Sequence, residues 1–452
     1  MRKASVGRDV SSRAFSGSVD PLTQRVDEGV HPHPQCSRPG GCRCLFKPAL
    51  RKHWAAVNTD NQQLHLRIPS TIMPLIFSRA FCSCKGGCGK TTLMYNCACA
   101  HATSNPDHHV MMLDFSETGD ISTLALGGFI GTSELGGKGK AMADAYSSKS
   151  MATTDALAAA AAACAAAPTS KRGFLPLFQR WSATPAQACD FHMDGKLVDL
   201  HEINPAMPSN LFISVTSPDT ASNAAFDTPA KRLAVKQGLM QFFESDSRNW
   251  VIFIDTDGDR AFTHRTKMGL MLARCIAVPT DVNDNDARRM EYFSQGIREM
   301  QEAGESAPVI DVFILNKVNI VKWEPMNDES KGITSPGTPA KSAISEIDRL
   351  SVQLAAAFCR DGQVDLLPQR FVFPDMTQAG RISSSYGCPV VALRDNMARL
   401  KRTAASEGLD LSSFSVSPQL VQAVYELAAF LESVAMRDEA NPRTPVKSAR
   451  GA

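Results

Sequence analysis

Apolar residues in this chain fall into short runs of strand length, separated by longer segments that mix polar and apolar positions. The first run, Ile72 to Cys82, leads into a glycine-rich turn and then a helix-compatible segment, Leu93 to His101. A second, His109 to Asp114, ends in a carboxylate. The pattern returns at Asn210 to Val215, Trp250 to Thr256, Cys275 to Pro279, Val309 to Leu315 and Arg370 to Pro374. Helices are predicted between these runs at about Pro229 to Glu244, Asn285 to Ala303 and Ile344 to Phe358. Continuous apolar runs suit strands buried on both faces. Their alternation with helices predicts an α/β fold, a mostly parallel sheet flanked by helices. A last helix, about Pro418 to Met436, places Leu420, Val424, Leu427, Leu431 and Val434 on one stripe, with Glu426 and Glu432 on its polar face. Without a basic face it reads as a helix packed on the core rather than laid on a membrane.

The pattern fails in three places. Residues 1–72 are rich in Arg, Ser, Pro and Gly and lack periodicity, which predicts a disordered or targeting extension. Their first twenty residues have the Arg/Ser-rich look of a transit peptide, weakened by Asp9, and Met73 offers a start for a compact domain over 73–436. Residues from about 131 to 207 read as an insertion, in which an alanine tract closed by Pro168 has no amphipathic face. Phe174 to Phe178 and Trp181 are expected to dock it, the alternative being a partner-binding patch. Ser330 to Ala340 reads as a loop, and 437–452 as a disordered tail.

Composition changes little in this picture. With 43% hydrophobic and 21% charged residues the chain has ample material for a core. A net charge of +2 gives no global attraction to nucleic acid. No apolar run reaches the ~18–20 residues needed to span a bilayer. Thirteen cysteines in a chain without a secretory h-region read as reduced thiols in a reducing compartment, cytoplasmic or organellar. Cys36, Cys42 and Cys44 lack a matching second pair at zinc-finger spacing.

Chemistry concentrates in Cys84-Lys85-Gly86-Gly87-Cys88-Gly89-Lys90-Thr91-Thr92. Strand, glycine-rich turn and helix form the context of a phosphate-binding loop. Gly86, Gly87 and Gly89 let backbone N–H groups approach an anion, and the following helix offers its positive end. Lys90 is placed to reach β/γ-phosphates, and Thr91 to ligate Mg2+. The run Trp250 to Thr256 delivers Asp255 to a sheet edge, where a carboxylate holds Mg2+ through water.

The variant K-G-G-x-G-K-T-T resembles the deviant phosphate loop of ParA/MinD-type ATPases, with Cys88 in place of a small apolar residue. The resemblance covers roughly residues 74–130 and 208–435. It implies a P-loop NTPase fold in which Cys88 and Thr92 also bind phosphate and Lys85 reaches across an ATP-sandwich homodimer to the partner's phosphates. It further implies that Asn316 lies near the purine and the backbone at Pro374 against adenine. The family's second strand ends D-x-D; here Asp114-Phe115-Ser116 puts serine where the later carboxylate orients the attacking water. Either Glu117 or Asp120 takes over, or hydrolysis is slow or lost. Phe115 to Thr123 resembles a switch-like loop. The function implied is slow ATP hydrolysis driving DNA or cargo positioning, through an unknown protein partner. The alternative is a non-hydrolysing nucleotide-binding adaptor. Arg394, Arg399, Lys401 and Arg402 form the candidate patch for nonspecific DNA.

Overall fold

In the computed structural model, residues 75–129, 142, 197–216, 226–246, 248–258, 262–282, 284–358, 368–406 and 408–440 are described. The strands in chain order are β1 (Leu75–Phe81), β2 (His108–Asp114), β3 (Val198–Asp199), β4 (Leu211–Ser214), β5 (Asn249–Asp255), β6 (Cys275–Asp281), β7 (Val309–Val318), β8 (Ile320–Lys322), β9 (Met326–Asp328), β10 (Ile333–Ser335), β11 (Thr338–Pro339) and β12 (Gln369–Pro374). The helices are α1 (Lys90–Ser104), α2 (Asp120–Ala125), α3 (Leu200–Ile203), α4 (Pro229–Ser245), α5 (His264–Leu272), α6 (Asp284–Glu302), α7 (Lys341–Phe358), α8 (Thr377–Tyr386), α9 (Val390–Ser406) and α10 (Pro418–Ala440).

Ten of these strands form one sheet in the order β3-β4-β2-β5-β1-β6-β7-β12-β10-β9. Every pairing from β4 through β10 is parallel, and only the edge strands β3 and β9 run antiparallel. The mostly parallel α/β fold expected from the alternating runs is the one observed. Buried side chains cover both faces. Phe77, Phe81, Val251 and Phe253 meet α1 and α10 on one side, while Ile252, Ile254, Ile276 and Val278 meet Met268, Phe293 and their neighbours on the other. The α10 stripe Leu420, Val424, Leu427, Leu431 and Val434 is buried, as its spacing predicts. Among the described residues no helix is long and apolar enough to cross a membrane.

One expected segment gains detail and three local expectations need correction. The insertion read at about 131–207 ends in regular structure: β3 and α3 occupy Val198 to Ile203, and Leu197, Leu200 and Met207 are buried. Asn204 N donates to Leu200 O and Met207 N to Asn204 O, closing this turn, and Tyr95, which donates to Gly387 O at 2.7 Å, has its hydroxyl 3.5 Å from the Met207 sulfur. The loop expected at Ser330 to Ala340 contains β10 and β11, because Ile333 is buried and pairs in register with Arg370 of β12. The switch-like stretch Phe115 to Thr123 turns helical at Asp120, since Gly119 (φ 64°) starts α2 and Ile121 and Leu124 enter the core. Finally, α10 continues past Met436 to Ala440, through residues with good helix propensity. The expectations for 1–72, for the alanine tract and for Phe174 to Trp181 lie outside the described residues.

Candidate phosphate-binding site

Parallel strands that end together bring β1, β2, β5 and β6 to one sheet edge, and the loop after β1 crosses it. Gly87 and Gly89 take φ of 77° and 89°, backbone that L side chains rarely adopt, and Gly89 starts α1. A cavity of about 410 Å3 opens there, lined by Gly86, Gly87, Gly89, Lys90, Thr91 and Thr92 from the loop and helix start. Ser116 to Thr118, Asp120, Leu124 and Phe129 form a second wall, and Thr256 to Gly258 a third. The helix end and its free N–H groups therefore face a space of ligand size.

Lys90 is buried, and its ammonium donates to Lys85 O at 3.3 Å. A Cβ built on Gly258 would lie 2.6 Å from Lys90 Nζ and 2.8 Å from the backbone Lys85 O, so a side chain there would crowd both the head group and the loop. Thr91 Oγ1 donates to Asp255 Oδ2 at 2.9 Å. Asp255 is fully buried, and its Oδ1 has no hydrogen-bond partner among the described residues. Burial, then the charge of Asp114, push its carboxyl well above the usual carboxylate range. A naked carboxylate oxygen beside a threonine hydroxyl is a donor set suited to a hard divalent cation. The residues present thus fit Mg2+.

Asp114 is fully buried but does not line the cavity. Its Oδ1 accepts from Ser116 Oγ at 2.7 Å and Ser116 N at 3.1 Å; its Oδ2 accepts from Ser122 N at 3.2 Å and from the Ser122 hydroxyl. Burial pushes its carboxyl up to about 6 against the pull of these donors. Ser116 lines the cavity with its hydroxyl committed, donating to Asp114 and accepting from Gly119 N at 3.0 Å. Asp120 also lines the cavity.

The remaining candidates lie elsewhere. Lys85 is held by Asp281 Oδ2 at 2.7 Å, at the end of β6. Asn316 sits beneath the loop, where its Nδ2 donates to Cys88 O at 2.8 Å. Cys88 is buried with its Sγ 2.9 Å from Ser83 Oγ, pointing into the loop's own core. Pro374 is buried at the end of β12 opposite Val318. None of these four lines the cavity.

Sequence reading missed three contributors. Asp257 lines the cavity and its Oδ1 accepts from Glu117 N at 2.8 Å, fastening the α2 side of the site to β5. Asp281 anchors Lys85, and Lys317, with a left-handed φ of 61°, donates from Nζ to Gly87 O at 2.8 Å. Asp257 had a signal, a second carboxylate two residues after Asp255; the other two had none.

Similar solved structures include apo McdA from Cyanothece, with a TM-score of 0.42, 14% identity, and coverage of 79% of this chain and 98% of that one. A ParA family ATPase from Chlorobium tepidum TLS gives 0.41, 17%, 78% and 98%. The septum site-determining protein MinD from Pyrococcus horikoshii OT3, complexed with Mg-ADP, gives 0.37, 13%, 79% and 97%. No protein-family model matches the chain, and no curated protein does. Likeness at this level concerns the fold alone, and assignments of residues rest on the geometry above.

Proposed function

We propose that the chain is a ParA/MinD-like ATP-binding P-loop protein whose nucleotide state governs pairing of two copies, with slow hydrolysis. The observation that carries this reading is the junction of Thr91 and Asp255 beneath the glycine-rich loop. There Thr91 lines a cavity edged by helix N–H groups, and behind it its hydroxyl donates to Asp255, whose other carboxylate oxygen is buried and unpartnered among the described residues. Thr91 and Asp255 would hold Mg2+, which neutralises phosphate charge when bound. Lys90 neutralises the remaining charge, and the backbone of Gly86 to Lys90 with Thr92 positions the phosphates.

Ser116 cannot take up a proton from water, and its hydroxyl is already engaged. Among the carboxylates that line the cavity, Asp120 is the one we assign to orienting the water. Slow turnover follows, and a non-hydrolysing adaptor is the reading that Ser116 favours instead. Pairing of two copies requires Lys85 to leave Asp281 and cross to the partner's phosphates. Exposed Arg394 and Arg402 on α9 are the surface we assign to nonspecific duplex DNA.

The test uses the full chain. Equilibrium binding of ATP with Mg2+ should be strong in wild type and at least tenfold weaker in Lys90→Ala; equal binding overturns the reading. Single-turnover hydrolysis above the Lys90→Ala level supports the enzyme, and activity no higher than that control's leaves the adaptor. Sedimentation with ATP should show a dimer weakened by Lys85→Ala, and a constant monomer removes the pairing. Absence of retention on duplex DNA at low salt removes that partner.

A further inference from the structure

The sheet edge opposite the phosphate loop carries a cluster that nucleotide chemistry does not use. His101 lies in the last turn of α1, His108 opens β2, and Glu432 comes from α10. One ligand atom from each of the three side chains lies within 4.8 Å of the other two. Only one ring nitrogen of His101 can serve a given ion: Nε2 is 3.1 Å from His108 Nδ1, whereas the 3.6 Å approach of Glu432 Oε2 is to the other nitrogen, Nδ1. Two imidazole nitrogens on one tetrahedral zinc ion sit about 3.3 Å apart, given Zn–N lengths of about 2.0–2.1 Å. The histidine pair is therefore already at ligand spacing.

We propose that His101, His108 and Glu432 form a binding site for a borderline divalent cation of the Zn2+ class, with one coordination position left to solvent. Two imidazoles and one carboxylate suit Zn2+; Mg2+ and Ca2+ call for oxygen ligands throughout. His101 is almost wholly buried, whereas His108 and Glu432 are half-buried and leave a path in.

The turn that carries both histidines is also fixed in advance. Asn105 N and Asn105 Nδ2 both donate to His101 O, and His108 N donates to Asn105 O at 3.0 Å. From the neighbouring strand entry, Asn210 Nδ2 donates to the carbonyls of Ala102, Asn105 and His108 at 3.0, 3.1 and 2.8 Å. Ligands held this firmly lose little freedom on binding a metal. A cation here would tie α10 to the α1–β2 turn, roughly 20 Å along β2 from Asp114. The same helix carries Lys90 at one end and His101 at the other, so metal binding would stiffen the element behind the phosphate loop.

The competing account is a plain histidine–histidine hydrogen bond beside a carboxylate, which binds nothing. Metal-free full-length protein is titrated with Zn2+, and with Co2+ as an optical probe, alongside His108→Gln and Glu432→Gln. Both substitutions sit at half-buried positions, and circular dichroism verifies their fold. Wild type should bind one more Zn2+ per chain than either variant, or bind it at least about tenfold more tightly. Its Co2+ spectrum should show tetrahedral nitrogen/oxygen ligation, and Zn2+ should raise its Tm while leaving the variants' unmoved. Equal stoichiometry and affinity across the three proteins overturns the proposal. So does a Co2+ spectrum with thiolate charge transfer only, which would place the metal on cysteines, or displacement of Zn2+ by equimolar Mg2+.

Discussion

Asp114 and Asp255 stand opposite one another in register on adjacent parallel strands, both without solvent exposure, and they are satisfied unequally. Four donors from Ser116 and Ser122 converge on Asp114, whereas Asp255 has the Thr91 hydroxyl on one oxygen and no partner on the other. Like charges this close raise each other's proton affinity unless a cation intervenes. Asp114 is thus a structural hub, and Asp255 is the carboxylate we assign to a metal.

Replacing Asp255 by Asn separates these roles. Nucleotide binding by wild type should strengthen at least tenfold on adding Mg2+, and Asp255→Asn should lose most of that gain. Without metal the variant should be more stable than wild type by on the order of 1 kcal/mol, because one buried carboxyl with a raised pKa is gone. Calorimetric titration with and without Mg2+ measures the first effect and urea denaturation the second. Unaltered Mg2+ dependence would remove Asp255 from the metal site.

Ser122 links three elements: its hydroxyl donates to Asp114 and accepts from Thr216 N at 2.8 Å. Ser122→Ala should cost about 1–3 kcal/mol at neutral pH, the range for stranding a buried partner. The sign of the pH dependence follows from Asp114. Its carboxyl sits at about 6 in the fold against an ordinary 3.8, so the folded state holds a proton the unfolded chain releases. That contribution is full below 3.8 and is lost as pH rises through 6. Removing a hydroxyl that lowers this value moves the loss to higher pH. The penalty of Ser122→Ala should therefore be larger at pH 7 than at pH 4 in urea melts, and equal penalties would show that Asp114 is not the titrating acceptor.

Two glycines set the shape of the loop for different reasons. Gly89 has φ of 89°, and a Cβ there would lie 2.6 Å from Asn316 Nδ2. At Gly258 the Cβ would meet Lys90 Nζ at 2.6 Å and Lys85 O at 2.8 Å. Gly89→Ala should cost about 1–2 kcal/mol from backbone strain alone and weaken ATP binding at least tenfold. Gly258→Ala presses on the Lys85 backbone as well as displacing the Lys90 ammonium, so it should weaken ATP binding and also lower stability, without the positive-φ strain of Gly89→Ala. Binding and melting curves of both variants check this split.

Much of this was legible in the chain. Central strands such as Trp250 to Asp255 are buried on both faces, so their apolar runs declare them without reference to partners. The glycine-rich loop is likewise local, since glycine spacing, Lys90 and Thr91 are contiguous. What escaped depends on distant pairing. β9, β10 and β11 have two or three residues each and exist through their neighbours. Asp281 becomes part of the site by meeting Lys85, 196 residues away. Asn316, which the resemblance sets near a purine, spends its amide on Cys88 O beneath the loop, a choice set by packing that no spacing reveals.

Arg79 in β1 interrupts an apolar strand and is fully buried, as is its partner Asp311 in β7. Its Nη1 and Nη2 donate to the two carboxylate oxygens at 2.6 Å each, and Nη2 also donates to Leu431 O in α10 at 2.8 Å. One guanidinium thus joins two sheet strands to the helix that covers them. Bringing both charges out of water costs nearly what their attraction returns, so the pair itself adds little net stability. Breaking it is different, because Asp311 then stays buried with its guanidinium partner gone. Arg79→Ala should destabilise by about 3–5 kcal/mol. The double change Arg79→Met with Asp311→Leu should cost much less, since it removes both charges and keeps the volume. Urea denaturation of the two proteins decides the matter. A double variant at least as damaged as the single would mean that the pair, and not merely its balance, holds α10 to the sheet.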